Sequence, residues 1–531
     1  MRTGLVGLAF AAAVIVAAWA WLGAPVAMPN APLAAGEKLW CISYAPYRGD
    51  QTPYDLATRI PAAQLDEDLG RLSPITGCVR TYSDTQGLEQ IPALAAKHGM
   101  KVLQGIWLAG IPALDEVQIT NGVALAKAHP DTIRALVVGN EVLLRGEKTG
   151  TDLANIIRSV KAEVSVPVTY ADVWEFWLRN PEVAAAVDFI TIHILPYWED
   201  FPIPAEQAAA HVEAIRRKVA AAFPGKEIVI GEVGWPSAGR MREGALPSPA
   251  NQARVIQDVL ALAKRENFKV NVIESFDASW KRAQEGTVGA HWGLFDGATR
   301  KPKFHWGEAV SNHPRWRWQA AGGVAYAVLV FAAALAAARG RKHRAPVWLA
   351  VTANAIAGGI LIGWTIENVP LESLGAGAWT RSLALAAAAF ASPILASLAV
   401  VTETPAPPMA SVLAIEPLRK SDRLASALGL LLVVTLLLSV QVALGLVFDP
   451  RYKDFPFAPL TAAIVPLLVH GLTVGQFGKR GAAETAGAGL LLLAAIYIVP
   501  NETLANWQSL WLCAAFAALA LTLLRVRGAR S

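Results

Sequence analysis

The sequence is poor in charge for its length. Asp, Glu, Lys and Arg make up 17% of its 531 residues, against 54% hydrophobic residues, a balance that a single water-soluble domain does not show. Cysteine is scarcer, at three residues, which excludes a small scaffold built on disulfides. The nine histidines show no paired metal-ligand spacing, so no metal site is expected. No glycine-rich strand–turn–helix signature follows the first β-run, which weakens a doubly wound dinucleotide fold. No cofactor is expected.

What is abundant is long apolar sequence. A span needs roughly 20 apolar residues, and runs of that kind lie at Gly4–Leu22, Gln319–Ala338, Pro346–Ile366, Trp379–Val401, Leu424–Phe448, Phe457–Phe477, Thr485–Val499 and Gln508–Leu524. Of these eight, the seventh is the shortest. Arg2, Arg339, Arg341, Lys342, Arg344, Arg419, Lys420, Arg423, Lys479, Arg480, Arg525, Arg527 and Arg530 all fall on one side of this series. The other side has Arg451, Lys453 and the boundary residue Arg381 in its short connections. Cytoplasmic loops collect Lys and Arg. Both termini are therefore expected in the cytoplasm and residues 36–314 outside it, in the periplasmic space of an inner membrane. The net charge of +5 is then a topological signal, and no nucleic-acid partner is expected. The first apolar run exceeds the roughly 7–15 residues of a signal-peptide core, so it reads as an uncleaved anchor.

The exported part alternates short β-rich runs with amphipathic stretches. Strands are expected at Leu39–Tyr44, Cys78–Tyr82, Lys101–Trp107, Ile133–Asn140, Val166–Tyr170, Phe189–Leu195, Glu227–Gly231 and Val270–Phe276. Helices are expected at Leu88–His98, Ile119–Ala128, Ala205–Ala222 and Asn251–Glu266. Eight such repeats suit an α/β fold, the (β/α)8 barrel, whose usual size is about 250 residues. The organisation expected is an anchor and linker at 1–35, the barrel at 36–314, and an all-α multi-span transmembrane region at 315–531. Cys41 and Cys78 fall on neighbouring strands, where an oxidising compartment permits a bridge. A domain this large does not need one, so two buried thiols are the expectation. Cys513 lies inside a span.

Chemistry in a barrel sits at the carboxyl ends of its strands. The fourth strand ends in Asn140-Glu141, and the seventh leads into Glu232-Val-Gly-Trp-Pro-Ser237. A carboxylate directly after an apolar β-run is costly unless it is paired or functional. Two of them on opposite strands suit glycosidic cleavage, where one carboxyl protonates the departing oxygen and the other attacks the anomeric carbon or activates water.

At these residues the sequence resembles glycoside hydrolase family 17, the β-1,3-glucanases and related glucanosyltransferases. The matching segments are VVGNEVLLRG at 137–146 and IGEVGWPSAG at 230–239, supported by CVRTYSD at 78–84, HILPYW at 193–198 and SFDASWK at 275–281. The resemblance runs from Leu39 to about Trp306 and does not reach the apolar runs beyond. It implies a retaining enzyme with Glu141 as acid/base and Glu232 as nucleophile, on carboxyl groups about 5–5.5 Å apart. Glu141 must then stay protonated, which calls for an apolar or acidic surrounding. Glu232 must stay ionised, through hydrogen bonds from Tyr197 or other polar neighbours. Substrate contacts are expected from Tyr44, Arg80, Tyr82, Asn140, Tyr197, Trp198, Trp235, Asp277, Trp280 and Lys281. The sequence departs from the family at Ala278, where an acidic residue often follows Phe-Asp.

Trp107, Trp174, Trp177, Trp198, Trp235, Trp280 and Trp292 fall at or after strand ends. About half are expected to pack the core, with Trp280, Trp198 and Trp235 ranked first for stacking on sugar. Asp66-Glu67-Asp68 superficially matches a metal-diphosphate motif, but it reads as acids meeting a helix dipole. Asn312-His-Pro-Arg-Trp316 reads as an interface marker before a span. His470 is an intramembrane ionisable group, with a contact to a neighbouring helix as the plainer reading. Gly359 and Gly363 read as a helix-packing contact.

The partners expected are thus a β-glucan and a lipid bilayer. Partners in envelope glucan synthesis stay open. So do two other classes, a glucan synthase or branching subunit, and a glucan-gripping scaffold or transporter component.

Overall fold

The computed structural model describes residues 2–338, 343–413, 423–474 and 481–525. The chain divides into two compact units. One comprises Val26–Ala238 and Gly244–Val310, the other Met1–Pro25, Gly239–Glu243 and Ser311–Ser531.

The first unit is a closed barrel of eight parallel strands in sequential order. They are β1 (Cys41–Ser43), β2 (Cys78–Arg80), β3 (Lys101–Ile106), β4 (Ile133–Asn140), β5 (Val168–Val173), β6 (Ile190–His193), β7 (Ile228–Val233) and β8 (Val270–Val272). Helices cover the outer face, so nearly every strand residue is buried. This is why the strands read as continuous Val/Ile runs and not as alternating ones. Ser248 starts the helix Pro249–Arg265 by accepting from the Asn251 amide at 3.1 Å, with Pro249 in the first turn. The stretch expected as one helix at 88–98 is a 3-10 turn, Leu88–Gln90, followed by an α-helix, Ile91–Lys97. Helices at Gly150–Glu163, Trp174–Arg179 and Pro181–Ala186 complete the ring.

The strand ends differ from expectation in one useful way. β5 and β7 run on to Val173 and Val233, so Asp172 and Glu232 are strand residues rather than loop residues. Register shifts fall between Val137 and Asn140, between Ile192 and His193, and between Ile230 and Val233. Such irregularities re-aim side chains beside active sites.

The two cysteines are joined. β1 pairs with β2 so that Ile42 faces Val79, which sets Cys41 opposite Cys78 with Cα atoms 4.4 Å apart in a disulfide. The expectation of free thiols is thereby corrected: register decides the pairing, and the size argument concerned only need. The dipole reading of the acid trio is corrected as well. Asp66, Glu67 and Asp68 sit inside the helix Ala62–Leu72, which has no acid in its first turn. They form ion pairs with Lys97, with Arg48 and Arg71, and with Arg48 and Arg300 respectively.

Among the described residues, seven helices of the second unit are long and apolar enough to cross a membrane: Arg2–Leu22, Trp316–Ala338, Ala345–Glu372, Gly375–Thr402, Arg423–Phe448, Ala482–Glu502 and Trp507–Leu524. The run expected to be shortest is the full 21-residue helix Ala482–Glu502, and the short one is Phe457–Thr473, at 17 residues. Gly323 and Gly359 let two of these helices touch. A Cβ on either would meet the other's carbonyl oxygen within 3 Å, the close approach that small residues permit. His470 is hydrogen-bonded to the Thr404 carbonyl at 2.8 Å. Of the basic residues that set the expected orientation, Arg339, Arg341, Lys342, Arg419, Lys420, Lys479, Arg480, Arg527 and Arg530 lie outside the described residues.

Candidate active site

Glu141 follows the last residue of β4 and Glu232 is the fifth of the six residues of β7, so both stand at the carboxyl end of the barrel. Between them, on β6, is His193, which is fully buried and paired in register with Glu232. Its Nδ1 lies 3.1 Å from Glu141 Oε1 and its Nε2 lies 3.7 Å from Glu232 Oε1. One atom from each of the three side chains lies within 4.8 Å of the others.

Glu232 is held by donors. Arg80, buried at the end of β2, donates from Nη1 to Glu232 Oε1 at 2.8 Å and to the Gly231 carbonyl at 3.0 Å. Its Nη2 donates to Asn140 Oδ1 at 2.5 Å, tying β4 and β7 together. The Tyr82 hydroxyl lies 2.7 Å from the same Glu232 oxygen and 2.9 Å from Ser43 Oγ. Ser43 in turn accepts from Asn271 at 2.8 Å. One phenol has one proton, so the chain runs Asn271 to Ser43 to Tyr82 to Glu232, each donor polarised by the next acceptor. Burial opposes ionisation of Glu232, but His193, Arg80, Tyr82 and Lys281 outweigh it and hold the carboxyl below the usual glutamate range. With these donors on its Oε1, Glu232 is held as an anion.

Glu141 is different. Its side chain is one quarter exposed, against 6% for Glu232, and its backbone is left-handed, with φ +54°. Lys281 makes two contacts of 2.9 Å to the Glu274 carboxylate.

The other expected residues divide. Arg80, Tyr82 and Asn140 belong to the cluster around Glu232. Trp198 and Trp280 are partly exposed, and Trp280 meets Tyr47 and Tyr54 edge-on at 5.9 and 5.7 Å. Tyr44 is 1% exposed and donates to Asp68 on the outer helix at 3.1 Å, so it faces away from the groove. Trp235 is fully buried, its indole N–H bonded to the Leu246 carbonyl at 3.0 Å. It packs edge-on to Tyr197, which is also buried. Asp277 accepts from the Gly293 amide at 2.9 Å and from Lys303 at 2.8 Å, so it braces a loop. Of the seven tryptophans, Trp177, Trp235 and Trp292 are core while Trp107, Trp174, Trp198 and Trp280 keep some exposure.

Sequence reasoning missed His193, Ser43, Asn271, Asp172 and Glu274. A polar residue at the carboxyl end of a strand was the available signal for Ser43, Asp172 and His193, whereas Asn271 is the middle residue of β8 and Glu274 follows that strand.

A closed parallel barrel with two carboxyl groups so placed suits glycosidic cleavage. Residues 41–293 match the BtgE/BtgC glycoside hydrolase domain. The chain is 29% identical over 265 residues to a glucan 1,3-beta-glucosidase of Arthroderma benhamiae, covering 46% of this chain and 84% of that protein. It is 26% identical to one of Saccharomyces cerevisiae, covering 44% and 82%. With a probable beta-glucosidase btgE of Aspergillus flavus it shares 32% identity over 41% of this chain, spanning 36% of that longer protein. Among solved structures, a glycoside hydrolase family 17 β-1,3-glucanosyltransferase from Rhizomucor miehei aligns with a TM-score of 0.44 and 26% identity, over 50% of this chain and 95% of that one. The matched residues are a glycoside hydrolase domain, and the protein is a glycosidase.

Proposed function

We propose that this protein is a membrane-anchored retaining enzyme that cleaves β-1,3-glucan and passes the glycosyl unit to water or to a second glucan. The observation that carries this reading is the contrast between the two carboxyl groups: Glu232 buried and locked by Arg80 and Tyr82, Glu141 more open and within 4.8 Å of the cluster. An inverting pair needs about 6.5–9.5 Å to admit a water between them, so the shorter spacing supports retention. Glu232 attacks the anomeric carbon, and the bond to the leaving oxygen breaks as Glu141 gives that oxygen its proton. The resulting ester is opened by a water or sugar hydroxyl whose proton returns to Glu141. The curated relatives named as glucan 1,3-beta-glucosidases support the linkage. Trp280 with Tyr47 and Tyr54 forms a partly open aromatic group suited to the apolar face of a pyranose.

The seven apolar helices serve as the anchor, and the barrel works on the far side from the cytoplasm. The Cys41–Cys78 disulfide supports an oxidising compartment. The domain limits proposed are 1–35, 36–314 and 315–531.

The test uses the full chain in detergent with β-1,3-gluco-oligosaccharides and mass spectrometry. Products both longer and shorter than the starting sugar are expected, and Glu232→Gln should lower turnover by more than about a thousandfold. Shorter sugars alone at high oligosaccharide concentration reduce the activity to hydrolysis. Near-native turnover by Glu232→Gln overturns the assignment.

A further inference from the structure

Tyr170 and Asp172 are two residues apart on β5 and therefore point to the same side of the strand. Both are fully buried. A tyrosine hydroxyl and a carboxyl group in a barrel wall are costly unless bonded, and each of the two accepts from the turn after Glu141. The Leu143 amide donates to the Tyr170 hydroxyl at 3.0 Å. That hydroxyl donates to Asp172 Oδ2, which also accepts from the Leu144 amide at 3.3 Å. Asp172 Oδ1 accepts from the Val173 amide at 2.7 Å, which fixes the carboxyl plane. One residue back on the strand, the Ala171 carbonyl accepts from the Glu141 amide at 2.8 Å. Three of the four amides from Glu141 to Leu144 are thus held by consecutive residues of β5.

The turn needs holding. Glu141 is left-handed at φ +54°, a conformation that is costly for a residue with a side chain. Left alone it would relax, and the carboxyl would swing away from the bond it must protonate.

We propose that Asp172, acting through Tyr170, is a positioning residue for the acid/base step: the pair straps the Glu141 turn so that the strained backbone aims the Glu141 carboxyl at the leaving oxygen. Neither residue touches the reacting atoms. Burial, with the nearby Glu141 carboxylate adding to it, pushes the Asp172 carboxyl up to about 6 despite the Tyr170 hydrogen bond. A group whose folded value is raised in this way favours the folded state at low pH, and that contribution is lost as pH rises through about 6. At neutral pH the ionised Asp172 therefore costs stability, which suits a group kept for function.

The inference rests on the reading of Glu141 as acid/base, and the experiment separates the two. Tyr170→Phe, which keeps the ring and removes only the hydroxyl, and Asp172→Asn are made in the full chain. Values of kcat/KM, which report the glycosylation step, are compared on a β-1,3-gluco-oligosaccharide and on 2,4-dinitrophenyl β-laminaribioside. The dinitrophenolate leaves without a proton. A misaimed acid should therefore lower the oligosaccharide value by about tenfold to a hundredfold and the aryl value by less than about threefold. Equal falls on both substrates, a fall on neither, or unfolding of Tyr170→Phe overturns the positioning role. A wild-type chain that turns over neither substrate sinks the functional reading itself, and this inference with it.

Discussion

The site is decided by which side chains reach Glu232 Oε1. Arg80 supplies a charge-assisted bond at 2.8 Å and Tyr82 a hydroxyl at 2.7 Å, and together with His193 and Lys281 they outweigh the cost of burying the carboxylate. Removing Arg80 takes away a group that lowers the Glu232 pKa, so that pKa must rise. The acid limb of kcat/KM against pH, which reports the free enzyme's essential base, should then move to higher pH in Arg80→Met. Tyr82→Phe should move it the same way by less, since a neutral hydroxyl is the weaker partner. An acid limb unmoved in both variants would mean that the limb belongs to another group. Arg80 has a second task, its bond to Asn140 at 2.5 Å, so Arg80→Met should also weaken catalysis at its pH optimum.

At the scale of elements, the strands were legible because parallel strands under a ring of helices are apolar throughout, and all eight expected runs overlap β1 to β8. Their ends were not. β5 and β7 outlast their apolar runs, and a hydrophobic pattern cannot show that an Asp or a Glu continues a strand. Glu141 and Glu232 were readable as acids against an apolar background, together with their flanking motifs. His193 opens the HILPYW segment, yet its place between the two carboxyl groups emerges only from the pairing of β6 with β7, and Asp172 emerges only from the side-chain bonds of β5. Tyr44 and Trp235 are buried, which a motif could not show, because it gives neighbours in sequence and not the way a side chain points. The disulfide also belongs to this scale, since β1–β2 register creates it. It closes a loop with a sequence separation of 37 residues, for which loop entropy gives about 2–4 kcal/mol of stabilisation. Cys41→Ala with Cys78→Ala should lower the melting temperature of the detergent-solubilised chain by several degrees. A maleimide should label the unfolded wild-type chain at Cys41 and Cys78 only after reduction. Labelling at those positions before reduction would show that the protein matures in a reducing compartment.

For the whole molecule, one helix decides the topology of the C-terminal part. Phe457–Thr473 has 17 residues, about 26 Å at 1.5 Å per residue, somewhat less than the roughly 30 Å of hydrocarbon. If it crosses, the basic residues Lys479, Arg480 and Arg525 share a side with Arg2, Arg344 and Arg423. If it does not, Lys479, Arg480 and Arg525 move to the opposite side, against the rule that Lys and Arg collect in the cytoplasm. The charge pattern therefore predicts a crossing, with the bilayer thinning locally around a short helix at modest cost. The barrel's side depends only on Arg2–Leu22 and Trp316–Ala338, so two questions can be put separately to reporters that work only outside the cytoplasm. Fused after Pro314, such a reporter should be active, and fused after Lys342 it should be silent. The reverse would place the barrel in the cytoplasm. Fused after Gly481 it should again be silent, and fused after Leu504 active. Activity after Gly481 with silence after Leu504 would show that Phe457–Thr473 lies within one leaflet and that the last two helices run opposite to the direction their charges imply.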